Sequence, residues 1–536
     1  MRGLITDNFA GGGGASTGIE MAIGRSVDIA INHDPDAIAM HTVNHPNTLH
    51  YCESVFDVDP LQATAGMPVD LAWFSPDCTH HSKARGGKPR EKNIRGLAWI
   101  VVRWALRVRP KVMPLENVEE FVTWGPLDDN GHPIKSRLGE TFQGFKAMLT
   151  NGIAADHPAL QECCETLNLS LTDRERLING LGYVVDHRDI KMGNHGLKTR
   201  RKRFFLIARC DGQPIVWPEE THNNTGTNGK LPWRQAAECI DFTDVGRSIL
   251  GRKKPIARNT LRRLAHGFVR FVRDTPEPYL VRIGQTGFGG DGMSYSVREP
   301  ITTVTTKAEH ILVSPVMIRN MGKSIGQSVE QPWPTNLTKS KDMLMASHLV
   351  HLRGTCKDGL RADSLMPTIT AGGKHVLLAN YIIKYYGTNI GQPMQLPLQT
   401  VTVKQRFALA QTEINSVEEL TDDQRYSSWC LARMIEECGP QPKERASLIP
   451  APRPSLLELP GGFIVVDLFI RMIRARELFN SHDFPSDYVI DVDQHGNKVP
   501  ESVQVARVGN SVPPLMVKLL IQCNLPELCT REQEAA

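Results

Sequence analysis

Cys78 is the residue in this chain best placed to do covalent chemistry. It closes the segment Asp70-Leu71-Ala72-Trp73-Phe74-Ser75-Pro76-Asp77-Cys78, an apolar run that ends on Pro, an acid and a thiol, followed by the polar stretch Thr79-His80-His81-Ser82. A cysteine at the exit of a buried strand is a candidate nucleophile, because sulfur is intrinsically nucleophilic even when little of it is ionised. Taken alone it reads more readily as a packed core thiol, since free cysteine is among the most buried residue types. Two other segments change that balance. Leu4-Ile5-Thr6-Asp7-Asn8-Phe9-Ala10-Gly11-Gly12-Gly13-Gly14 is a short strand entering a glycine-rich turn and then a helix over 17–23. Lys111-Val112-Met113-Pro114-Leu115-Glu116-Asn117-Val118 is an apolar run ending on an acid. Three strands that each close on polar or glycine residues suit an open α/β sheet, which binds ligands at the carboxyl ends of its strands.

The elements that must position these groups follow the same alternation. Strands are expected over 27–32, 70–74, 111–115, 182–190 and 203–208, with helical stretches such as 96–108 between them. This is a doubly wound pattern. After Asp211 prolines, glycines and threonines rise and helical periodicity fades. One helix is expected there, over 259–271, with Leu261, Leu264, Ala265 and Phe268 as an apolar stripe. An internal repeat follows: Thr303-Val304-Thr305, Asn336-Leu337-Thr338, Thr368-Ile369-Thr370 and Thr400-Val401-Thr402, with central residues spaced by 33, 32 and 32 positions. Each unit reads as a hairpin or strand pair with a basic, polar tip. A proline-rich linker at 449–454 precedes renewed apolar patterning at 463–469 and a last motif, Val508-Gly509-Asn510-Ser511-Val512-Pro513-Pro514. The domains expected are 1–215, then 216–455 carrying the ~32-residue β repeats, then 456–536 returning to the first.

At 536 residues the chain exceeds one typical domain. No apolar run approaches the ~20 residues of a membrane helix, and the N-terminus lacks a signal-peptide pattern, so a cytoplasmic protein is expected. The 11 cysteines include no zinc-like spacing, so neither a metal nor a disulfide is expected. A net charge of +4 says little about partners. Its distribution says more: from Arg247 to Arg273, through Arg252, Lys253, Lys254, Arg262 and Arg263, no acid intervenes. That stretch is either a phosphate-tracking surface or a solvated helix face.

In this order, the segments resemble the DNA (cytosine-5) methyltransferases of bacterial and bacteriophage type. Pro76-Asp77-Cys78 with Ser82 is similar to that family's Pro-Cys loop, Glu116-Asn117-Val118 to its Glu-Asn-Val triplet, and Thr199-Arg200-Arg201-Lys202-Arg203 to its Gln-x-Arg-x-Arg. Arg476-Glu477 with Phe484-Pro485 and Gly509-Asn510-Ser511-Val512-Pro513-Pro514 resemble its two closing motifs. The resemblance implies a Rossmann-like S-adenosylmethionine-dependent domain with a mostly β target recognition domain inserted before the C-terminal segment. It implies Cys78, Glu116, Arg201 and Arg203 as catalytic. It implies Asp7, Phe9, Gly11, Gly13, Gly14, Asn32, Asp34, Glu53, Pro76, Asn510 and Ser511 around S-adenosyl-L-methionine. Ser82 and the basic residues Arg252, Lys253, Lys254, Arg262 and Arg263 are expected to contact double-stranded DNA. A monomer is implied, with a cognate restriction endonuclease as an open partner. An RNA cytosine-5 methyltransferase and a catalytically impaired DNA-binding homologue are the competing readings. Two positions depart from the pattern: Asp77 stands where the family usually has Pro, and Thr199 where it has Gln.

Overall fold

The computed structural model describes residues 2–77, 96–128, 131–241, 244, 246–269, 420–438, 456–459 and 463–529, together with separate strands between 279 and 416. Cys78 and Ser82 lie outside the described residues, as does the side chain of Arg263. The chain forms two compact units: 1–197 with 201–221 and 482–536, and 198–200 with 222–481.

The first unit is built on seven strands in the order β3-β2-β1-β4-β5-β7-β6. These are β1 (Leu4–Asn8), β2 (Ile29–Ile31), β3 (Leu49–Tyr51), β4 (Val69–Phe74), β5 (Val112–Asn117), β6 (Val184–Lys191) and β7 (Lys202–Arg209). The first five are mutually parallel, and β7 runs antiparallel to both β5 and β6. The doubly wound α/β expectation therefore holds for this unit. The reversal of strand order between β1 and β4 makes a topological switch point, with Asn8 beside Phe74 in register.

Side chains alternate across a strand, and both faces of this sheet are covered. Ala72 and Phe74 enter one core with Trp99, Trp104, Phe121, Trp124, Phe145 and Phe204. Leu71 and Trp73 enter the other, with Ile19, Phe205, Met516, Val517, Leu520 and Ile521. The second core is completed by the helix Pro514–Asn524, so the C-terminal segment is part of this unit's packing. Its approach to helix α1 (Gly14–Ile23) is close: a Cβ on Gly18 would overlap the Pro514 carbonyl and the Val517 side chain.

In the second unit, ten described strands form one sheet in which all described pairings are antiparallel. The expected helix appears as Arg258–Phe268, with Leu264, Ala265 and Phe268 buried. Sequence reading missed a second helix, Asp422–Cys438, whose buried Ser428, Leu431, Ala432 and Ile435 recur at helical spacing. The repeat pairs differently from the expected hairpins. Val304–Lys307 pairs in parallel with Thr400–Lys404, joining the first and last repeats and setting Lys307 beside Lys404. The apolar runs that follow those strands go into the large sheet, where Ile311–Val313 lies against His375–Lys384. The second and third repeats lie outside the described residues. The return to the first unit also comes later than expected. Strand Phe463–Met472 pairs with Phe407–Ser416 inside the second unit, and the chain re-enters the first at His482. No helix among the described residues is long and apolar enough to cross a membrane.

Candidate active site

The carboxyl ends of β1, β4 and β5 lie side by side, and each delivers a different group. β1 opens into the glycine loop. Phe9 there has φ 67°, and Gly11 and Gly13 have φ 50° and 88°, left-handed conformations that suit glycine. β4 leads into Ser75, Pro76 and Asp77, which hand the chain to Cys78. Two contacts fasten this exit. Ser75 N–H donates to the Asn8 carbonyl at 3.2 Å, and the Asn117 side-chain amide donates to the Pro76 carbonyl at 3.1 Å. β5 ends on Glu116 and Asn117. Because β7 is antiparallel, its beginning reaches the same edge, and Glu116 stands in register with Phe205. Arg201, Lys202 and Arg203 thereby come to the end of the sheet where the other three segments emerge.

Glu116, Arg201 and Arg203 are all buried. Arg203 Nε lies 3.0 Å from Glu116 Oε1, close enough for an ion pair, although the oxygen is not aligned as a hydrogen-bond acceptor. Burial nonetheless pushes the Glu116 carboxyl above the ordinary range, outweighing the opposing pull of Arg203 and Arg201. Arg203 also donates to the Lys202 carbonyl at 2.9 Å, and Arg201 to the Gly509 carbonyl at 3.1 Å. The second of these bonds fixes the closing motif to this edge of the sheet. His482 is fully buried, and burial followed by the charges of Arg201 and Arg203 holds its pKa well below the usual value. A neutral imidazole there adds no further positive charge to the two guanidiniums.

The residues expected around the cofactor fall into two groups. Asp7, Phe9 and Gly11 line the first turn. Asp7 is fully buried and its Oδ1 has no hydrogen-bond partner, while a Cβ on Gly11 would meet only the Phe9 carbonyl, at 3.8 Å. Gly13 and Gly14 are also demanded by packing: a Cβ on Gly13 would overlap the Tyr488 hydroxyl, and one on Gly14 the Ser511 Oγ and Val512 carbonyl. Gly14→Ala is therefore expected to destabilise the chain by about 1–3 kcal/mol through overpacking. A thermal unfolding comparison checks this, and an unchanged Tm would show that the C-terminal segment yields without cost.

Asn32 accepts from the Asp34 N–H at 2.9 Å. Asp34 caps helix α2 (Pro35–Asn44) and is paired with Arg507 at 2.6 Å; burial opposes its charge, but Arg507 and the helix N–H groups win and lower its pKa. Glu53 and Asn510 are exposed, and Ser511 is buried with its hydroxyl donating to the Val512 carbonyl at 3.0 Å. Of the expected DNA contacts, Lys253, Lys254 and Arg262 are exposed in the second unit. Arg252 is half-buried and donates to the carbonyls of Ser248 and Arg247.

Sequence reasoning passed over Ser16, His41, His45, His50, Asn117, Tyr488 and Arg507. His41 in the last turn of α2 and His45 at its C-cap, four positions apart, were the available signal. Tyr488 and Arg507 gave none, since they reach the glycine loop and Asp34 only through the C-terminal return.

Residues 4–128 match the model of the C-5 cytosine-specific DNA methylases. The Type II methyltransferase M.AgeI of Thalassovita gelatinovora is 25% identical over 229 residues, covering 42% of this chain and 43% of that protein. The match thus spans less than half of that curated relative. Among solved structures, the S. pombe Dnmt2 methyltransferase aligns over 98% of this chain and 99% of its own at 11% identity and a TM-score of 0.41. The Entamoeba histolytica methyltransferase EhMeth aligns over 99% and 100% at 11% identity and a TM-score of 0.38.

Proposed function

We propose, from the premise that residues 4–128 belong to the C-5 cytosine-specific DNA methylase family, that the chain methylates carbon 5 of cytosine at specific sites in double-stranded DNA. The observation that supports this most is Glu116, a buried carboxyl held toward its protonated form although two arginines stand beside it. It sits at the edge where β4 hands the chain to Cys78.

Carbon 5 of cytosine is too weak a nucleophile to take a methyl group unaided. The Cys78 thiolate adds at carbon 6 and makes carbon 5 enamine-like. Negative charge then builds toward ring nitrogen 3, where protonated Glu116 donates a hydrogen bond or its proton. Arg203 and Arg201 hold the base's carbonyl oxygen and the neighbouring charge. After transfer the carbon-5 proton leaves to a base such as water, and Cys78 is expelled. The target base must first be flipped out of the duplex, at a cost of a few kcal/mol.

S-adenosylmethionine, when bound, supplies an electrophilic methyl group on a positively charged sulfur. The residues present suit it: the unpartnered Asp7 Oδ1 is a buried acceptor, and Gly11 leaves room for close approach. Phe9, Gly13, Gly14, Asn32, Asp34, Glu53, Pro76, Asn510 and Ser511 are the further groups assigned to hold it. The second unit, with its basic strand ends and exposed Lys253, Lys254 and Arg262, is assigned to DNA.

Expression in a host lacking cytosine methylation, followed by genome-wide mapping of 5-methylcytosine, tests this reading. Methylation at one short motif is expected. No signal from soluble protein would overturn it, and methylation confined to RNA would replace DNA by RNA as the substrate.

A further inference from the structure

Beneath the glycine loop, Asp7 heads a cluster of polar and titratable side chains whose other members the chemistry above does not use. Asp7 Oδ2 is 2.7 Å from Ser16 Oγ, Ser16 Oγ is 2.9 Å from His41 Nε2, and His41 Nδ1 is 2.8 Å from His50 Nε2. Asp7, Ser16 and His41 are fully buried, and His50 is half-buried on the edge strand β3. One residue each from β1, α1, α2 and β3 thus makes an unbroken chain of short contacts from a buried carboxyl to the rim of the sheet. The groups around it are mutually engaged. Glu20 pairs with His45 at 2.8 Å, Asp34 with Arg507 at 2.6 Å, and the Tyr488 hydroxyl donates to the Gly12 carbonyl at 2.6 Å. Asp7 Oδ1 is left over, buried and without a partner.

We propose that entry of the cationic methyl donor draws one proton off Asp7, and that this proton leaves through Ser16 and His41 to His50. The inference rests on the S-adenosylmethionine reading of the site and deepens it. Before entry, Asp7 Oδ2–H donates to Ser16, Ser16 O–H to His41 Nε2, and His41 Nδ1–H to His50 Nε2. Each proton then moves one step outward along its hydrogen bond. Asp7 becomes a carboxylate accepting from Ser16, His41 carries its proton on Nε2, and His50 gains one at Nε2 and releases one from Nδ1 to water. One proton has left Asp7 and one has reached solvent.

The titration of these groups fits that sequence. Burial outweighs the Ser16 hydrogen bonds and pushes Asp7 up to about 7. Burial and then the neighbouring histidines keep His41 and His50 below their usual values, which favours the neutral form of both. A positive charge beside Asp7 favours its ionised form, so the bound state holds fewer protons than the free state below the Asp7 pKa. Affinity therefore falls as pH drops below about 7 and levels off above it.

Isothermal titration of the full chain with S-adenosylmethionine, without DNA and in buffers of different ionisation enthalpy, reads the proton directly. Release of nearly one proton per donor bound is expected at about pH 6 and nearly none at about pH 8, with affinity weakening about tenfold per unit on the acid side. Stopped-flow association of a His50→Gln chain should be slowed at the lower pH and unchanged at the higher, where no proton has to leave. Binding without proton release at either pH overturns the linkage. Equal association rates for His50→Gln and the native chain at the lower pH overturn the route. Absence of any S-adenosylmethionine binding overturns the methyl-donor reading itself, and the linkage with it.

Discussion

A Cys78→Ser chain should lose methyl transfer to DNA by roughly 10³–10⁶-fold while still binding DNA. A serine hydroxyl is almost the same size as a thiol but ionises far less readily, so addition to carbon 6 fails with little change in side-chain volume. Affinity for DNA comes largely from phosphate contacts, which this exchange leaves alone. The measurement is methyl incorporation from labelled S-adenosylmethionine beside a gel-shift titration on the same duplex. Normal incorporation by the serine chain would sink the assigned mechanism. Asp77 makes the residual reactivity of interest, because a neighbouring carboxylate opposes thiolate formation. Either Arg201 or another nearby cation is expected to offset that charge, or Asp77 contacts the substrate; an Asp77→Pro chain with unchanged rate and thiol reactivity would remove the idea.

Glu116→Gln is expected to cost roughly 10²–10⁴-fold in the single-turnover rate, the range typical of a positioned general acid. The amide can still donate a hydrogen bond toward ring nitrogen 3 but cannot deliver a proton, and the oxygen it keeps can still face Arg203 Nε, which lies 3.0 Å from the Glu116 carboxyl. The pH profile adds a second readout. Burial raises the Glu116 pKa, so the protonated form persists above the usual carboxyl range and is lost as pH rises through the folded value. Activity of the native chain should carry that loss on its alkaline side, and the Gln chain should lack it. The same sign applies to stability. The folded chain retains a proton that the unfolded chain releases, so the contribution of Glu116 to folding is complete at low pH and declines as pH rises through its folded pKa. A Gln chain as fast as the native one would remove Glu116 from the chemistry.

The strands of the first unit were legible because each is a short apolar run closed by glycine, proline or an acid, and a doubly wound sheet writes that pattern locally. The motif residues were legible for a related reason. Glycine at left-handed φ, a thiol after Pro76 and an acid after β5 are local demands that leave few alternatives. The second unit was less legible. Threonine-alternating segments announce strands but carry no information about partners, and pairing between Val304–Lys307 and Thr400–Lys404 bridges almost a hundred positions of chain. The helix Asp422–Cys438 was missed because its apolar spacing lies in a stretch rich in charge.

By itself, the sequence determined which residue types stand at the strand ends and in what order. That order carried the resemblance to a methyltransferase family, because short-range backbone constraints are written in consecutive residues. What only the tertiary structure decided is how distant segments complete the site. The antiparallel placement of β7 delivers Arg203 to Glu116, and the return after His482 brings Gly509 to Arg201 and Arg507 to Asp34. Only folding shows that Tyr488 and Ser511 leave no space for a Cβ at Gly13 and Gly14, a packing demand beside the ligand contacts expected of them. Burial, too, exists only once the core closes. Asp7 and Glu116 are ordinary acids in the sequence, and their raised pKa values arise because folding removes the water that would otherwise stabilise their charge.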